Sequence, residues 1–315
     1  EIASCLVGSE MCIRDRIGSI MEFFTKVLKT QISIVSKLAD GCSVEKSRFA
    51  QDKIGELMAR KYKQGVSYEK IRSGEFQAEY IIPDEKKLNG IILYLHGGGY
   101  VSGGMNYAKG FGTILACQNK IPVCCVAYRL APENAFPAAL TDALNAYRFL
   151  ILEGYSPENI ILCGESAGGG LAYALALKLK EEKLEMPCGI IAVSPWSDLT
   201  LSGVSYDKNL ENDPSMTKKR LKFYADCYTD QPELPLVSPL FGDLANLPPS
   251  LIFAGGDEIL LSDSEELHER LVSCGCRSQL HIAPKMWHVY LLYNLKEFEE
   301  DYKRINEFLK EVLND

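Results

Sequence analysis

Residues 159–168 read NIILCGESAG, and this stretch decides the fold. Its first half is a short apolar run that favours a buried strand, and the residues after Ser166 favour a helix. Between them, Gly164, Ser166 and Gly168 match the pattern GxSxG. A strand that turns sharply into a helix needs glycines beside the serine, and it leaves the serine hydroxyl exposed above the sheet. The stretch therefore predicts a strand, a nucleophile turn and a helix in direct succession.

An ordinary glycine-rich turn and a phosphate-binding loop are the alternative interpretations of this pattern. No lysine follows at the spacing of a phosphate-binding loop, and the run of glycines comes after the serine. The serine also precedes a predicted helix, so its hydroxyl lies at the positive end of the helix dipole. These features favour a nucleophile over both alternatives.

Apolar strands and amphipathic helices alternate on both sides of this stretch. Strands are predicted at 91–95, 122–127, 159–163, 189–193, 250–254 and 278–282, and helices at 107–118, 138–152 and 167–183. A helix also follows each of the last two strands. Upstream, the pattern predicts helices at 21–39 and 44–63 and a strand at 75–82, and a strandless insertion at 195–248 contains one helix near 215–229. This alternation predicts an α/β fold with a mostly parallel central sheet and helices on both faces.

A second motif, HGGGY at 96–100, directly follows the strand at 91–95. An acyl-transfer enzyme must donate hydrogen bonds to the oxyanion of its tetrahedral intermediate. Successive glycines can aim backbone N–H groups at one point, and an HGGG loop serves this purpose in lipases and esterases. Alone the motif could be a flexible loop, but its order and distance relative to GxSxG favour an oxyanion loop.

The chain has four histidines, so the general base can be chosen by elimination. His96 precedes the serine, His268 lies on a charged helix face, and His281 lies inside a predicted strand. His288 lies in the loop after that strand, at the carboxyl edge of the sheet where such sites assemble. In α/β-hydrolases the chain order is serine, acid, histidine. We therefore predict His288 as the base.

The acid that orients this base is expected in the loop after the strand at 250–254. Asp257 comes first after two glycines that permit a sharp turn, whereas Glu258 is expected to point elsewhere. Asp263 lies near the start of the next helix, where acidic residues are favoured for other reasons. Asp257 is therefore predicted as the acid, with Asp263 second.

Composition and charge exclude several classes of protein. The 315 residues are 47% hydrophobic and 24% charged, which excludes a disordered chain, a fibre and a small disulfide scaffold. The net charge of -8 argues against nucleic-acid binding, because a surface of that sign repels phosphate. No apolar run approaches the roughly 18 residues of a membrane span, and the eleven cysteines form no metal or disulfide pattern. We expect a cytoplasmic protein with no metal and no stable membrane insertion.

The first residues are considered separately. Residues 1–16 show no period and no helix cap, and the segment CLVGSEMCIRDR resembles translated read-through of a sequencing adapter. Residues 1–20 are therefore expected to be non-native or disordered, with a native flexible tail as the alternative. Met21 is the candidate natural start.

Together these motifs resemble the hormone-sensitive-lipase-like group of α/β-hydrolases, the bacterial family IV esterases. HGGGY at 96–100 and GESAGG at 164–169 correspond to the two signatures of the group, and the resemblance runs from about 75 to 310. Three places depart from the usual pattern of the group: Glu165 in place of Asp, Glu258-Ile259 in place of Pro-Leu, and Val289 in place of Gly.

The resemblance implies roles for individual residues. It implies a catalytic triad of Ser166, His288 and Asp257. It also implies an oxyanion hole formed by backbone N–H groups, with supporting residues in the same loop: the donors would be Gly98, Gly99 and Ala167, and the supporting residues His96 and Gly97.

The resemblance also implies a domain organisation. A small helical cap would combine residues 21–70 with an insertion at about 196–232, and the catalytic domain would cover 71–315. A homodimer through the last strand is permitted. No metal or organic cofactor is implied.

The expected function is that of a serine carboxylesterase that hydrolyses short- to medium-chain acyl esters through an acyl-enzyme. An amidase or peptidase with the same triad is an alternative that substrate assays would separate. A non-catalytic small-molecule binder is disfavoured, because receptors of this fold lack the catalytic histidine. Aromatic and apolar side chains could line the acyl pocket or, equally well, pack the cap on the core; the candidates are Phe23, Phe24, Val27, Tyr100, Tyr107, Phe223 and Tyr224.

Overall fold

The structure, a computed structural model, describes residues 25–34, 36, 43–74 and 76–314. The chain divides into two units, residues 1–42 and residues 43–315. In the first unit, residues 25–34 are helical, which agrees with the helix predicted over 21–39 for the part that is described. The predicted tail at 1–20 and the pocket candidates Phe23 and Phe24 lie outside the described residues.

The second unit contains a mixed sheet whose strands run in the order β1-β2-β4-β3-β5-β6-β7-β8. The strands are β1 (Val66–Ile71), β2 (Gln77–Pro83), β3 (Ile91–Leu95), β4 (Val123–Ala127), β5 (Ile160–Glu165), β6 (Gly189–Val193), β7 (Ser250–Gly255) and β8 (Ser278–Ala283). Strand β2 is antiparallel to both of its neighbours, and the pairs from β4 to β8 are all parallel. The predicted mostly parallel sheet is confirmed.

Helices connect and cover these strands. They are α1 (Val44–Arg60), α2 (Met105–Asn119), α3 (Ala138–Leu152), α4 (Ala167–Glu181), α5 (Ser205–Lys208), α6 (Lys218–Tyr228), α7 (Leu261–Ser273) and α8 (Glu299–Leu313). Helix α2 packs against α8, and α3 packs against α4. Strands β3, β5, β6 and β7 are buried at every residue, as expected where helices cover both faces of a parallel sheet.

Strand β1 was not predicted from the sequence. Val66 is its one buried residue, and the other positions are half-buried or exposed. As an edge strand it pairs only with β2, so it needs no apolar run and its residues VSYEKI carry none. The apolar periodicity that identifies central strands is therefore missing from this one.

Helix α1 lies unusually close to α2, and two glycines make this possible. A Cβ atom on Gly55 would lie 2.2 Å from the carbonyl oxygen of Asn106, and one on Gly110 would lie 2.8 Å from the Cα atom of Gly55. The two backbones therefore approach where neither helix carries a side chain. This contact fixes α1 beside the residues that follow β3.

The insertion between β6 and β7 has no strand, as predicted. Its longer helix, α6, begins at Lys218, later than the start of the helix predicted near 215–229. The hydroxyl of Thr217 accepts the N–H of Arg220 and caps the helix. The carboxylate of Asp213 instead accepts the backbone N–H groups of Ser215 and Ile259, which connects the insertion to the loop after β7.

Candidate active site

The residues predicted to carry the chemistry follow the carboxyl ends of parallel strands. Ser166 follows β5, and His288 lies in the segment after β8. The HGGG loop follows β3. Because the carboxyl ends of parallel strands meet at one edge of the sheet, side chains that are far apart in sequence come together there.

The turn at Ser166 has the geometry of a nucleophile elbow. Ser166 has φ 53° and ψ -124°, a strained conformation for a residue with a side chain. A Cβ on Gly164 would lie 2.2 Å from the carbonyl oxygen of Gly168, and one on Gly168 would lie 2.0 Å from that of Leu95. Only glycine fits at both places, which is the steric reason for the GxSxG spacing.

The structure brings the predicted nucleophile and base together. Nε2 of His288 lies 2.9 Å from Oγ of Ser166, and both residues are buried. For the hydroxyl to donate to Nε2, the imidazole must carry its proton on Nδ1. A carboxylate facing Nδ1 would stabilise that tautomer.

The carboxylate placed against Nδ1 is that of Glu258, the residue next to the predicted acid Asp257. Oε2 of Glu258 lies 3.7 Å from Nδ1 of His288, and Glu258 is completely buried. Asp257 is half-buried, and its backbone N–H donates to the carbonyl of Met286. This bond joins the loop after β7 to the segment before His288, and it is the next residue, Glu258, that enters the interior.

Asp263, the second candidate for the acid, has a different place. Its Oδ2 accepts the backbone N–H groups of Ser197 and Asp198, both at 2.9 Å. Burial, followed by the charge of Asp198, raises the pKa of the Asp263 carboxyl well above its usual value. Asp263 therefore fixes the loop after β6.

Ser194, which sequence reasoning missed, connects the acid to the histidine segment. Its hydroxyl donates to Oε2 of Glu258 at 2.6 Å and accepts the backbone N–H of Val289 at 3.0 Å. The N–H of Gly255 donates to the same Oε2 at 3.1 Å. One carboxylate oxygen is thus fixed beside the imidazole. The sequence signal was only a serine directly after a buried strand.

The glycines of the HGGG loop adopt conformations that other residues avoid. Gly98 has φ 107° and Gly99 has φ 64°. A Cβ on Gly98 would lie 2.2 Å from the carbonyl oxygen of Ser102, and one on Gly97 would lie 3.1 Å from Cβ of Ser166. The loop therefore lies directly beside the nucleophile. Ala167 opens α4, so its N–H belongs to the first turn, whose donors have no partner within the helix.

His96 supports this loop as a neutral side chain. Burial lowers the pKa of His96 to about 4. Its Nδ1 lies 2.7 Å from the carbonyl oxygen of Gly97, and its ring stacks on Tyr128 with centroids 4.3 Å apart. The Tyr128 hydroxyl donates to the carbonyl of His96 at 2.6 Å. These contacts fix the start of the loop.

Helix α1 contacts the end of the same loop, a role that the sequence did not reveal. Arg48 Nε donates to the carbonyl of Val101 at 2.8 Å, and Nη2 donates to the carbonyl of Ala131 at 2.8 Å. The guanidinium also pairs with Glu133, and this pairing lowers the pKa of Glu133 to about 2. The carboxylate of Asp52 accepts the N–H of Tyr107 at the start of α2.

The pocket candidates have different environments. Tyr100 is 1% exposed and stacks on Tyr228 at 3.9 Å, so it packs the insertion against the core rather than offering a surface to substrate. Phe223 is 49% exposed. The ring of Tyr224 lies against Gly99, where an added Cβ would be 2.1 Å from it. Tyr107 lies edge-on to His96.

The described residues offer neither a cluster of metal ligands nor a helix that could span a membrane. No group of three or more His, Cys, Asp or Glu side chains within them could hold a metal ion. None of the helices in this part of the chain combines the length and apolar character needed to cross a bilayer.

Comparison with known proteins identifies the family of this chain. Residues 92–292 match a family described as having the α/β hydrolase fold. The chain belongs to this family. It is 37% identical to an esterase of Acinetobacter venetianus over 65% of this chain and 68% of that protein. It is 34% identical to an acetyl-hydrolase of Streptomyces hygroscopicus over 71% of this chain and 75% of that protein.

Solved structures give the same result. An esterase from the bacterial hormone-sensitive lipase family has a TM-score of 0.83 and 32% identity, and the match covers 90% of this chain and 98% of that one. The esterase EstE5, in a crystal soaked with p-nitrophenyl butyrate, has a TM-score of 0.85 and 32% identity over 91% of this chain and 98% of its own. The predicted family and enzyme class, an esterase of the hormone-sensitive-lipase-like α/β-hydrolases, are confirmed.

Proposed function

We propose that this esterase hydrolyses short- to medium-chain acyl esters through a triad of Ser166, His288 and Glu258. The observation that carries the proposal is the 2.9 Å contact between Oγ of Ser166 and Nε2 of His288. The buried carboxylate of Glu258 on the far side of the imidazole supports it, since it lies 3.7 Å from Nδ1. Hydrogen bonds of this kind are often long without substrate and shorten in the reacting complex.

In the acylation step, Oγ of Ser166 attacks the ester carbonyl carbon while Nε2 of His288 accepts its proton. Negative charge develops on the carbonyl oxygen, which the N–H groups of Gly98, Gly99 and Ala167 would stabilise. The imidazolium gives its proton to the departing alkoxide, and the alcohol leaves. Water then attacks the acyl-enzyme, His288 takes a proton from it, and that proton returns to Ser166 as the acid is released.

Glu258 has a positioning and electrostatic role in these steps. Its carboxylate favours the tautomer with the proton on Nδ1 and stabilises the imidazolium that forms in each step. The hydrogen bonds from Ser194 and Gly255 hold the carboxylate in this orientation.

The acyl-chain length is proposed from the relatives. One relative is named an acetyl-hydrolase, and EstE5 was soaked with a four-carbon acyl ester. The ring of Tyr224 lies against the oxyanion loop, and the exposed ring of Phe223 lies 5.9 Å from the Tyr224 ring, centroid to centroid. We infer an acyl site for chains of about two to eight carbons, since apolar contact rewards each added CH₂ only while the pocket can bury it.

The proposal is tested by hydrolysis of p-nitrophenyl esters from C2 to C12, with wild type beside Ser166→Ala. Turnover should peak between C2 and C8, and the substitution should lower kcat by about 10⁴-fold or more, because the nucleophile is removed. A covalent adduct with a fluorophosphonate should form on the wild type only. Full turnover by Ser166→Ala contradicts the triad, and amide turnover faster than ester turnover contradicts the substrate class.

A further inference from the structure

Glu165, the residue before the nucleophile, has a buried carboxylate that the mechanism above does not use. Its Oε1 accepts the backbone N–H of Gly97 at 2.6 Å, and its Oε2 accepts the Tyr94 hydroxyl at 2.5 Å. Glu165 is completely buried. One carboxylate therefore joins strand β3, the HGGG loop and the nucleophile turn.

The bond to Gly97 lies at a sensitive point of the loop. Gly97 is so close to the turn that an added Cβ would lie 2.9 Å from the carbonyl oxygen of Glu165. The peptide groups that follow it contain the proposed oxyanion donors of Gly98 and Gly99. An oxyanion donor works only when it points at the developing charge, so a small rotation of the Gly97 peptide would misdirect both of them.

We infer that Glu165 is a positioning residue: its ionised carboxylate fixes the HGGG loop relative to Ser166 by accepting the N–H of Gly97. This inference rests on the proposed function, because it assigns the loop its oxyanion role. A charged acceptor forms a shorter and stronger hydrogen bond than a neutral one. The length of 2.6 Å between Gly97 N and Oε1 is at the short end of the range for such bonds.

The charge of this carboxylate changes in the pH range where esterases act. Burial raises the pKa of Glu165 to about 7, although the bonds from Tyr94, Gly97 and Tyr107 act in the opposite direction. When the carboxylate is protonated it becomes a weaker acceptor, and the orientation of the Gly97 peptide is no longer fixed as firmly. Turnover should therefore decrease as the pH falls through about 7.

The other ionisable groups around Glu165 remain neutral in this range. Burial raises the pKa of the surrounding tyrosines and of the neighbouring thiol well above their usual values, and it lowers the pKa of the nearby imidazole to about 4; these groups are Tyr94, Tyr107, Tyr128, Cys163 and His96. Of Glu165 and these five described neighbours, Glu165 is thus the group that changes charge between pH 5 and 9.

The experiment compares Glu165→Gln and Tyr94→Phe with wild type. The control is Glu79→Gln, which alters another buried glutamate, on β2, that pairs with Lys109. We expect Glu165→Gln to lower kcat for p-nitrophenyl butyrate at pH 8 by about 10- to 100-fold with little change in KM, because ground-state binding does not use the oxyanion donors fully. Affinity for a trifluoromethyl ketone, whose adduct with the serine carries the oxyanion, should fall in proportion to kcat/KM.

The pH profiles separate positioning from a purely structural role. In Glu165→Gln the ionisation of this carboxylate is absent, so the acid limb of kcat/KM should move to lower pH. In Tyr94→Phe, a bond that stabilises the ionised carboxylate is lost, so the limb should move to higher pH. Glu79→Gln should leave the limb and the ketone affinity unchanged. Tyr94→Phe still tests the inference if Glu165→Gln does not fold.

The inference is overturned if folded Glu165→Gln keeps wild-type kcat, or if the acid limb stays in place in both variants. It is also overturned if ketone affinity stays constant while kcat falls, because the loss would then lie outside the oxyanion site. Ser166→Ala is assayed in parallel. If Ser166→Ala is inactive and Glu165→Gln is fully active, this inference alone fails; if Ser166→Ala is active, the proposed function itself fails.

Discussion

Two buried glutamates lie close to the Ser166–His288 pair, Glu165 directly before Ser166 in the chain and Glu258 against Nδ1 of His288, and their oxygens accept different hydrogen bonds. Glu165 has hydrogen-bond donors on both carboxylate oxygens. Glu258 receives its donors on Oε2, while its Oε1 has no hydrogen-bond partner among the described residues. Nδ1 of His288 likewise has no hydrogen-bond partner within the described part of the chain.

This difference matches the two proposed roles, which are to fix a loop for Glu165 and to stabilise the charged histidine for Glu258. A carboxylate that fixes a loop should have all of its acceptor sites occupied, because an unused site permits rotation. A carboxylate that responds to a proton on a nearby imidazole needs acceptor capacity available when the charge appears. Within the described residues, Oε1 of Glu258 has that capacity, whereas both oxygens of Glu165 already accept hydrogen bonds.

The largest expected effect comes from Glu258→Gln. Loss of the carboxylate removes the preference for the correct imidazole tautomer and the stabilisation of the imidazolium, so kcat should fall by about 10³- to 10⁴-fold. The matched control is Asp257→Asn, one residue earlier in the same loop, which should keep turnover close to wild type. Steady-state kinetics with p-nitrophenyl butyrate measures both variants.

The opposite pattern would return the assignment to Asp257. If Asp257→Asn loses activity and Glu258→Gln retains it, the carboxylate that faces the histidine is not the one that acts on it. Equal losses in both variants would mean that the loop, and not one carboxylate, carries the effect. Thermal unfolding of each variant shows whether the fold is intact.

The loop after β7 also shows why sequence alone indicated Asp257 and not Glu258, the carboxylate that lies against His288. Asp257 and Glu258 are adjacent, and residue type does not distinguish them. Their orientations depend on backbone bonds from Gly256 and Asp257 to the carbonyls of Ala283 and Met286. These bonds join loops that are far apart in sequence, so no local sequence pattern indicates which carboxylate points into the interior.

The nucleophile turn could be predicted because its constraints are local. Gly164 and Gly168 are required by contacts within a few residues or with the adjoining β3, and the motif encodes them directly. Ser194 and Arg48 were missed for the opposite reason. Each acts on backbone groups far along the chain, Ser194 on Val289 and Arg48 on Val101, and neither position carries a motif.

A smaller effect is expected in the stability of Glu165→Gln. An ordinary glutamate side chain has a pKa of 4.5, whereas the pKa of Glu165 in the folded protein is about 7. The folded state therefore binds the proton more tightly, so this contribution to stability is complete below pH 4.5 and is lost as the pH rises through 7. A shift of this size corresponds to a change on the order of 3 kcal/mol.

Glutamine does not ionise, so the variant should gain stability relative to wild type between pH 5 and pH 8. Urea unfolding at both pH values measures the free energy of unfolding of each protein. If the difference between variant and wild type is the same at both pH values, Glu165 does not ionise in this range. The proposed difference between Glu165, whose ionised carboxylate lowers stability while it fixes the loop, and Glu258, which stabilises the charged histidine, would then lack support.

The smallest effect is expected for Ser194→Ala. The hydroxyl of Ser194 donates to Oε2 of Glu258 and accepts the N–H of Val289. Its removal leaves this half-buried N–H without that acceptor, and Oε2 of Glu258 loses one of its hydrogen-bond donors. A lost hydrogen bond of this kind corresponds to about 1–2 kcal/mol, or roughly a tenfold lower kcat. KM should change little, because the bound ester does not depend on the orientation of Glu258.

Ser250→Ala provides the matched control for this variant. Ser250 is equally buried and lies at the opposite, amino end of β7, where its hydroxyl contacts the carbonyl of Pro248. It should affect stability without affecting kcat. If Ser194→Ala and Ser250→Ala have the same kinetics, Glu258 keeps its orientation without Ser194, and the bond from Gly255 must suffice to hold it. A loss of kcat in Ser194→Ala alone would instead show that Glu258 needs the hydrogen bond from Ser194 to its Oε2 in order to act on His288.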